Sequence, residues 1–304
     1  MGIFRLIFVC CGFSILFGCE GTKNTGSPLD DSKISGTGVY QISVNRDSNS
    51  PKMNVYYHVP SKAHTQSPIL IVFHGNGRDA ENSRNLLIKE SENRELIIVC
   101  PEFSSKLFPG SNEYQLGGIF KDGENAKFSE LRPSADWTFS IIDRMFLDFK
   151  ESIKSEVLYY DMFGHSAGAQ FVHRFITFCP NAMVRKAVSA ASGWYTLPDV
   201  NVDFPYGLGQ TGLTNADLED VFAKSVLISV GSKDIDPNSS ALRHDEFADI
   251  QGNNRLDRAK YYFADCQKKA AENQFALIWK LKENTGVEHD FLGNATAALQ
   301  WLYP

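Results

Sequence analysis

Six short apolar runs, with candidate helices between most of them, are the feature that most constrains the fold of this chain. Runs of this length and composition are typical of strands buried on both faces of a parallel sheet. They span residues 68–73, 95–100, 157–163, 186–192, 225–230 and 275–281. Two earlier strand-like runs, 39–44 and 53–59, are joined by a polar turn, which predicts an antiparallel pair at a sheet edge. The sequence therefore predicts an α/β fold: an eight-stranded, mostly parallel sheet with an N-terminal antiparallel pair and helices on both faces.

Three connections in this pattern are much longer than the 4–6 residues usual between elements. They span residues 101–134, 193–221 and 231–255. Each follows the carboxyl end of a predicted strand, the edge where ligands bind open parallel sheets. The loops are rich in aromatic residues, which either roof an apolar pocket or pack the loops themselves: Phe103, Phe108, Tyr114, Phe120, Trp194, Tyr195, Phe204 and Tyr206. We expect Trp194 and Tyr195 to contribute to a substrate pocket.

The segment Gly164-His165-Ser166-Ala167-Gly168 follows an apolar strand and leads into a helix-compatible stretch. This is the G-x-S-x-G motif in the strand–turn–helix context that gives the motif its meaning. A side chain at Gly164 or Gly168 would collide with neighbouring backbone in so tight a turn. Ser166 would project its hydroxyl at a helix N-terminus, where the Ala167 N–H can stabilise a developing negative charge. The motif predicts that Ser166 is a nucleophile.

A serine hydroxyl needs a base to take its proton, and the base needs an acid to fix its tautomer. Asp234 and Asp236 follow the predicted strand 225–230, and either could be the acid. His289 lies on the loop before the C-terminal helix and is the predicted base. The catalytic groups would thus occur in the chain order Ser, Asp, His.

The stretch IVFHGNGRDA, residues 71–80, permits two interpretations. Gly75, Gly77 and Ala80 fit the G-x-G-x-x-G/A turn of dinucleotide-binding proteins, with Glu102 at about the distance of a ribose-binding acid. Alternatively, the same loop offers backbone N–H groups to an oxyanion. The dinucleotide interpretation leaves the serine motif, the acid and the histidine unexplained, so the oxyanion loop is favoured.

Together these motifs resemble the α/β-hydrolase superfamily across nearly the whole domain. The resemblance implies that the N–H groups of Asn76 and Ala167 form the oxyanion hole. It also implies an acid three residues after a glycine that closes the strand, and Gly231 gives Asp234 that spacing. Asp236 remains the alternative acid, although its place before a proline favours a structural role in the following turn.

A finer resemblance concerns the HGNG loop and the segments PEF and GWY. These are similar to secreted esterases of the polyhydroxybutyrate-depolymerase and feruloyl-esterase type, with dienelactone hydrolases as cousins. The resemblance implies a serine hydrolase that cleaves a carboxylic ester through an acyl-enzyme on Ser166. A peptidase or lactone hydrolase would use the same groups, and a non-catalytic surface binding protein with a vestigial triad is an alternative of another class.

Charge and composition limit the partners. The net charge of −6 arises from interspersed charges, so nothing indicates binding to nucleic acid or to an anionic membrane surface. We expect a monomer that acts on a small-molecule or polymeric ester and needs no cofactor.

The acid loop also partly matches a calcium-binding template. Asp234, Asp236, Asn238 and Asp245 fall at positions 1, 3, 5 and 12 of that template. Ser239 stands at position 6, where glycine is needed for the sharp turn. We therefore expect no metal site.

The N-terminus is predicted to carry an export signal. Residues 1–18 contain one arginine and an apolar run that is too short to span a bilayer but suits a signal peptide. Residues 16–19, with the sequence LFGC, resemble a bacterial lipobox. The resemblance implies cleavage before Cys19 and attachment of lipid to Cys19. A plain signal peptide or an uncleaved anchor is the alternative. Residues 19–37 are polar and predict a flexible tether, followed by the hydrolase-like domain at 38–304.

These features predict a lipid-anchored protein of the bacterial cell envelope, outside the cytoplasm. Glu20, in place of the aspartate that favours inner-membrane retention, points to the outer membrane. Beyond Cys19 the mature chain keeps Cys100, Cys179 and Cys266, and three thiols cannot all pair. Buried single cysteines are the favoured interpretation.

Overall fold

The computed structural model describes residues 29, 34–45, 47 and 49–304. The predicted signal peptide, 1–18, and the predicted lipidation site, Cys19, lie outside the described residues, as does most of the predicted tether. No helix in the described ranges is long and apolar enough to cross a membrane.

The core of the domain is one eight-stranded sheet, as the sequence predicts. The strands are β1 (Gly36–Ser43), β2 (Lys52–Val59), β3 (Ile69–Phe73), β4 (Ile97–Pro101), β5 (Tyr160–His165), β6 (Val184–Ala190), β7 (Ser225–Gly231) and β8 (Lys280–Asn284). Their order across the sheet is β1-β2-β4-β3-β5-β6-β7-β8. Strand β2 is antiparallel to both β1 and β4, whereas all other neighbours are parallel. This is the α/β-hydrolase fold.

Helices cover both faces of the sheet. They are α1 (Ala80–Arg94), α2 (Ser140–Ser152), α3 (Ala167–Phe178), α4 (Leu218–Phe222), α5 (Glu246–Ile250), α6 (Arg255–Asn273) and α7 (Phe291–Leu302). Along β3, Ile69, Ile71 and Phe73 pack into one core cluster with α2, α3 and α6, while Leu70 and Val72 pack into another with α1 and α7. Because both faces of β3 are covered, its apolar run is continuous instead of alternating.

The last strand differs from its prediction. The apolar run 275–281 was expected to form it, but β8 begins only at Lys280 and pairs with β7 through residues 280–284. Trp279 ends the unpaired part of the run, packing against Phe222 and donating its indole N–H to the Val221 carbonyl. Trp279 thus contacts α4 instead of the sheet, and β8 is a partly exposed edge strand.

The three long connections follow β4, β6 and β7 and leave the same edge of the sheet, as predicted. Of the eight aromatic residues singled out in them, all but Tyr206 are buried. Phe103 and Tyr114, for example, stack with their centroids 4.9 Å apart inside the larger core cluster. These rings mainly pack the loops themselves and do not form an open apolar roof.

The described cysteines carry no disulfide. Cys100, Cys179 and Cys266 are free thiols, and Cys100 and Cys266 are buried. Burial raises the pKa of all three. The structure thus shows three unpaired thiols, of which Cys100 and Cys266 are buried, as the favoured interpretation of the sequence predicts, and Cys179 is half-buried.

Candidate active site

Ser166 occupies the sharp turn that joins β5 directly to α3. Its backbone has φ 56° and ψ −113°, a conformation with positive φ that residues other than glycine rarely adopt. A backbone held in such a sparsely populated region costs of order 1–3 kcal/mol, and strain of this kind clusters at functional sites. The turn places the Ser166 side chain at the N-terminus of α3, beside the Ala167 N–H.

Two glycines allow this turn. A Cβ atom on Gly164 would lie 2.2 Å from the Gly168 carbonyl oxygen, and a Cβ on Gly168 would lie 2.1 Å from the Phe73 carbonyl oxygen. Real Cβ atoms essentially never approach backbone so closely. A side chain at either position would therefore collide with backbone, as the sequence predicts. The packing of α3 on β3 and β5 requires both glycines.

Ser166, His289 and Asp234 form a hydrogen-bonded chain. The His289 Nε2 atom lies 3.1 Å from Ser166 Oγ, and its Nδ1 atom lies 2.7 Å from Asp234 Oδ2. Because an ionised carboxylate only accepts hydrogen bonds, Nδ1 carries the proton and Nε2 is left to accept the serine proton. Asp234 is buried, whereas His289 remains 28% exposed. The arrangement can remove a proton from Ser166.

A close contact between two loops brings the acid and the histidine together. A Cβ on Gly231, at the end of β7, would lie 2.2 Å from the Val287 carbonyl oxygen. The same carbonyl accepts a 2.9 Å hydrogen bond from the Lys233 N–H. Glycine at 231 thus lets the loop that carries His289 lie against the loop that carries Asp234.

Asp236, the alternative acid, is not part of this chain. It is exposed, and its Oδ1 accepts a 2.9 Å hydrogen bond from the Asn238 N–H. That is the turn-stabilising role that its position before a proline predicts. The structure brings Asp234, and not Asp236, to His289. No group of His, Cys, Asp or Glu side chains in the described part of the chain is arranged to hold a metal ion.

Arg255, the first residue of α6, is a member of the site that the sequence reasoning missed. Its side chain is 1% exposed, and Nη1 lies 3.4 Å from Asp234 Oδ1, on the oxygen that His289 does not use. The Leu256 N–H also donates to the Asp234 carbonyl, at 3.2 Å. The first two residues of α6 therefore contact Asp234 at the carboxylate oxygen and the backbone carbonyl that His289 does not use. Only the helical pattern of α6 was visible in the sequence, and that pattern does not show which residue meets Asp234.

His165 lies beside the base. Its ring centroid is 4.7 Å from that of His289, and its Nε2 atom is buried without a hydrogen-bond partner among the described residues. Burial, followed by the nearby His289 and Arg255, holds the pKa of His165 well below its usual value. His165 is therefore a neutral, packed neighbour of the site.

The predicted oxyanion donors belong to two segments that lie next to Ser166. Ala167 follows it directly in α3, and Asn76 is exposed on the loop between β3 and α1. A Cβ on Gly75 would lie 3.7 Å from Ser166 Cβ. The peptide that carries the Asn76 N–H is therefore next to the serine.

The groups that would bind a dinucleotide, the N-terminus of α1 and the Glu102 carboxylate, have partners within the protein. The N-terminus of α1 is capped by the Asp79 carboxylate, which accepts a 3.0 Å hydrogen bond from the Asn82 N–H. A carboxylate at that position opposes a pyrophosphate, because both are anions that would use the same N–H groups. Glu102 accepts a hydrogen bond from the Asn54 side chain on β2. The structure thus favours the oxyanion loop.

Trp194 and Tyr195, the predicted pocket residues, are both buried. The guanidinium groups of Arg174 and Arg243 lie 4.2 and 5.1 Å from the centroid of the Trp194 ring. Tyr195 stacks on Tyr262 with centroids 4.3 Å apart, and burial raises the pKa of its hydroxyl. The two rings contact protein groups, and their role in a substrate pocket stays a prediction.

Comparison with known proteins gives matches to solved structures. No protein-family model and no curated protein matches the sequence. Poly(aspartic acid) hydrolase-1 from Sphingomonas sp. KT-1 is 32% identical, with a TM-score of 0.83 over 89% of this chain and 99% of that chain. A poly(3-hydroxybutyrate) depolymerase from Bordetella parapertussis is 28% identical, with a TM-score of 0.81 over 88% and 89%.

A more distant similarity concerns the fold alone. The fluorophosphonate-binding serine hydrolase F from Staphylococcus aureus is 12% identical, with a TM-score of 0.52 over 88% of this chain and 99% of that chain.

Proposed function

This chain belongs to the α/β-hydrolase family, and from that premise we propose that it is a serine hydrolase that cleaves carboxylic esters through an acyl-enzyme on Ser166. One observation carries the proposal: the hydrogen-bonded chain from Ser166 through His289 to Asp234, with distances of 3.1 and 2.7 Å. The similarity to a poly(3-hydroxybutyrate) depolymerase over most of both chains supports an ester as the substrate.

In this mechanism Ser166 Oγ attacks the acyl carbon while its proton passes to Nε2 of His289. Asp234 stabilises the imidazolium that forms and keeps its Nδ1–H in place. His289 then gives the proton to the leaving alcohol, and the acyl group remains on Ser166. Water, deprotonated by the same histidine, releases the acid and restores the serine.

The oxyanion of each tetrahedral intermediate would be held by the N–H groups of Asn76 and Ala167. The position of the Gly75 backbone beside Ser166 supports this assignment. Losing one such donor typically raises the barrier by about 2.7–4 kcal/mol. These backbone groups therefore provide a large share of the expected rate enhancement.

A fluorophosphonate probe and a series of esters of increasing acyl chain length test the proposal on protein that lacks residues 1–19. We expect the probe to label wild-type protein and not the Ser166→Ala variant, and we expect hydrolysis of at least one chain length. A wild-type protein that neither reacts with the probe nor hydrolyses any ester would instead be a binding protein with a vestigial triad.

A second candidate function is hydrolysis of a polymer of amino acids. The 32% identity to poly(aspartic acid) hydrolase-1 favours it. The same three residues would act, with His289 protonating an amine in place of an alcohol. Incubation with poly(aspartic acid) and with poly(3-hydroxybutyrate), followed by chromatography of the soluble products, separates the two candidates.

We further propose that the protein is a lipoprotein of the cell envelope, anchored through Cys19. The export signal and the lipobox-like segment support this. Because β1 runs in the same direction as β5, Gly36 lies at the edge of the sheet opposite to Ser166. A lipid attached upstream of Gly36 would therefore be joined to the domain at the edge of the sheet opposite to the catalytic edge. Labelling with a palmitate analogue in a bacterial host tests the anchor. We expect the wild-type protein to be labelled and the Cys19→Ser variant to remain unlabelled.

A further inference from the structure

The peptide bond between Gly75 and Asn76 has a structural role beyond the turn it forms. Its N–H belongs to Asn76 and is the proposed oxyanion donor, while its carbonyl belongs to Gly75. In a planar trans peptide these two groups point in opposite directions. Whatever holds the Gly75 carbonyl therefore sets the direction of the Asn76 N–H.

The side chain of His74 holds this carbonyl. Its Nδ1 atom lies 2.9 Å from the Gly75 oxygen, which also accepts the Arg78 N–H at 3.1 Å. On the other side of the ring, Nε2 lies 3.0 Å from the Phe103 nitrogen. A carbonyl only accepts and an amide N–H only donates, so His74 must be the neutral Nδ1–H tautomer. Burial agrees, because it lowers the pKa of His74 to about 4.

The long loop after β4 keeps the His74 ring and backbone in place. The Tyr114 hydroxyl donates a 2.7 Å hydrogen bond to the His74 carbonyl, and the two rings are 4.9 Å apart. The Arg78 guanidinium lies 4.5 Å from the Tyr114 ring centroid. It also donates to three carbonyls of that loop, those of Phe103, Phe108 and Gly110.

We propose that His74 is a positioning residue for hydrolysis: its Nδ1–H, by holding the Gly75 carbonyl, turns the Asn76 N–H toward the oxyanion beside Ser166. This inference rests on the proposed function. The oxyanion is present only in the transition state and intermediates, so loss of the Nδ1–H lowers kcat and leaves KM nearly unchanged.

Two substitutions of His74 test the hydrogen bonds of its two ring nitrogens separately. The amide nitrogen of asparagine can replace Nδ1 as the donor to Gly75, but its side chain is too short to reach Phe103. The amide oxygen of glutamine can replace Nε2 as the acceptor from Phe103, but it leaves the Gly75 carbonyl without this donor. His74→Asn and His74→Gln are therefore matched variants, each keeping one hydrogen bond.

We expect His74→Gln to lose at least tenfold in kcat, up to the 10²- to 10³-fold typical of a lost oxyanion donor, with KM within about twofold of wild type. His74→Asn should keep at least about a third of the wild-type kcat. Equal losses in the two variants, or a larger loss in His74→Asn, would mean that the ring only packs the loop and would overturn the proposal.

Nitrogen-15 NMR of histidine-labelled wild-type protein tests the tautomer without any variant that has to fold. We expect a proton on Nδ1 of His74 at neutral pH, and a proton on Nε2 would overturn the proposal. Inactive wild-type protein would overturn both proposals. Active wild type with an equally active His74→Gln would overturn only this one.

Discussion

The Nε2 atom of His289 lies 3.1 Å from the hydroxyl oxygen of Ser166, across a sequence separation of 123 residues. This hydrogen bond forms in the resting protein, so the proposed base lies within hydrogen-bond distance of Ser166 without a bound substrate. The bond depends on the strained turn at Ser166 and on the contact between the loops that follow β7 and β8. Activity and stability are thus linked at the same few residues.

The first prediction concerns the acid. Because Asp234 fixes the tautomer of His289, Asp234→Asn should lower kcat by roughly 10⁴, the loss seen in the best-characterised triad. Asp236→Asn, which changes only an exposed turn, is the matched control and should lose much less. Ester hydrolysis measures both, with circular dichroism to verify folding. The reverse ranking would move the acid to Asp236.

The second prediction concerns the oxyanion loop. Asn76 is predicted to act through its backbone, so Asn76→Ala should fall well short of the loss of about 2.7–4 kcal/mol that follows removal of a donor. Asn76→Pro, which lacks the N–H, should reach that loss. The ratio kcat/KM of each variant gives the value. Equally severe losses would make the Asn76 side chain the donor.

The third prediction concerns the strain at Ser166. Glycine adopts positive φ at little cost, whereas alanine keeps the Cβ that makes this conformation unfavourable. Ser166→Gly should therefore be more stable than Ser166→Ala by about 1 kcal/mol in urea unfolding, while both are inactive. A Ser166→Gly variant less stable than Ser166→Ala by about 0.5–1 kcal/mol, the usual entropic cost of glycine, would show that the positive φ at this position carries no strain.

The fourth prediction concerns the glycines that flank the serine. Gly164→Ala and Gly168→Ala each place a methyl group within 2.2 Å of a backbone carbonyl oxygen, so each should destabilise the fold by about 1–3 kcal/mol or more. Gly77→Ala has open space around its Cβ and serves as the control. Urea unfolding gives the free energy of unfolding of each of the three variants. A Gly77→Ala variant as unstable as the other two would contradict the steric explanation.

The fifth prediction concerns pH. The folded state lowers the pKa of His74 from 6.5 to about 4 by burial, so between these values the unfolded chain binds more protons than the folded one. This contribution to stability is complete above pH 6.5 and is lost as the pH falls toward 4, in total about 3 kcal/mol. Burial also lowers the pKa of His165 and His173, which adds to the slope.

The free energy of unfolding, measured between pH 7.5 and 4.5, tests this. Wild-type stability should fall on acidification, and His74→Asn should give a shallower slope. Asn76→Ala changes an exposed side chain that does not titrate and should keep the wild-type slope. A slope that does not change in His74→Asn would show that His74 titrates normally in the folded state.

Much of the fold could be predicted because its signals are local. An apolar run of strand length followed by a helical pattern needs no knowledge of the rest of the chain, and seven of the eight strands overlap their predicted runs closely. The exception, β8, shows the limit. Within the run 275–281, Trp279 packs against Phe222 of α4, and an apolar residue in the sequence does not reveal which surface buries it.

The sequence by itself determined which residues make up the candidate site: the serine in its glycine-flanked turn, the order of the proposed acid and base, and the spacing from Gly231 that favours Asp234. Each of these depends on residues close together in the chain, where steric rules act directly. Only the tertiary structure decided which groups meet across long separations. It placed Arg255 behind Asp234, Tyr114 against His74, and the loop aromatics inside the core, because such contacts depend on how distant segments pack and leave no periodic pattern in the sequence.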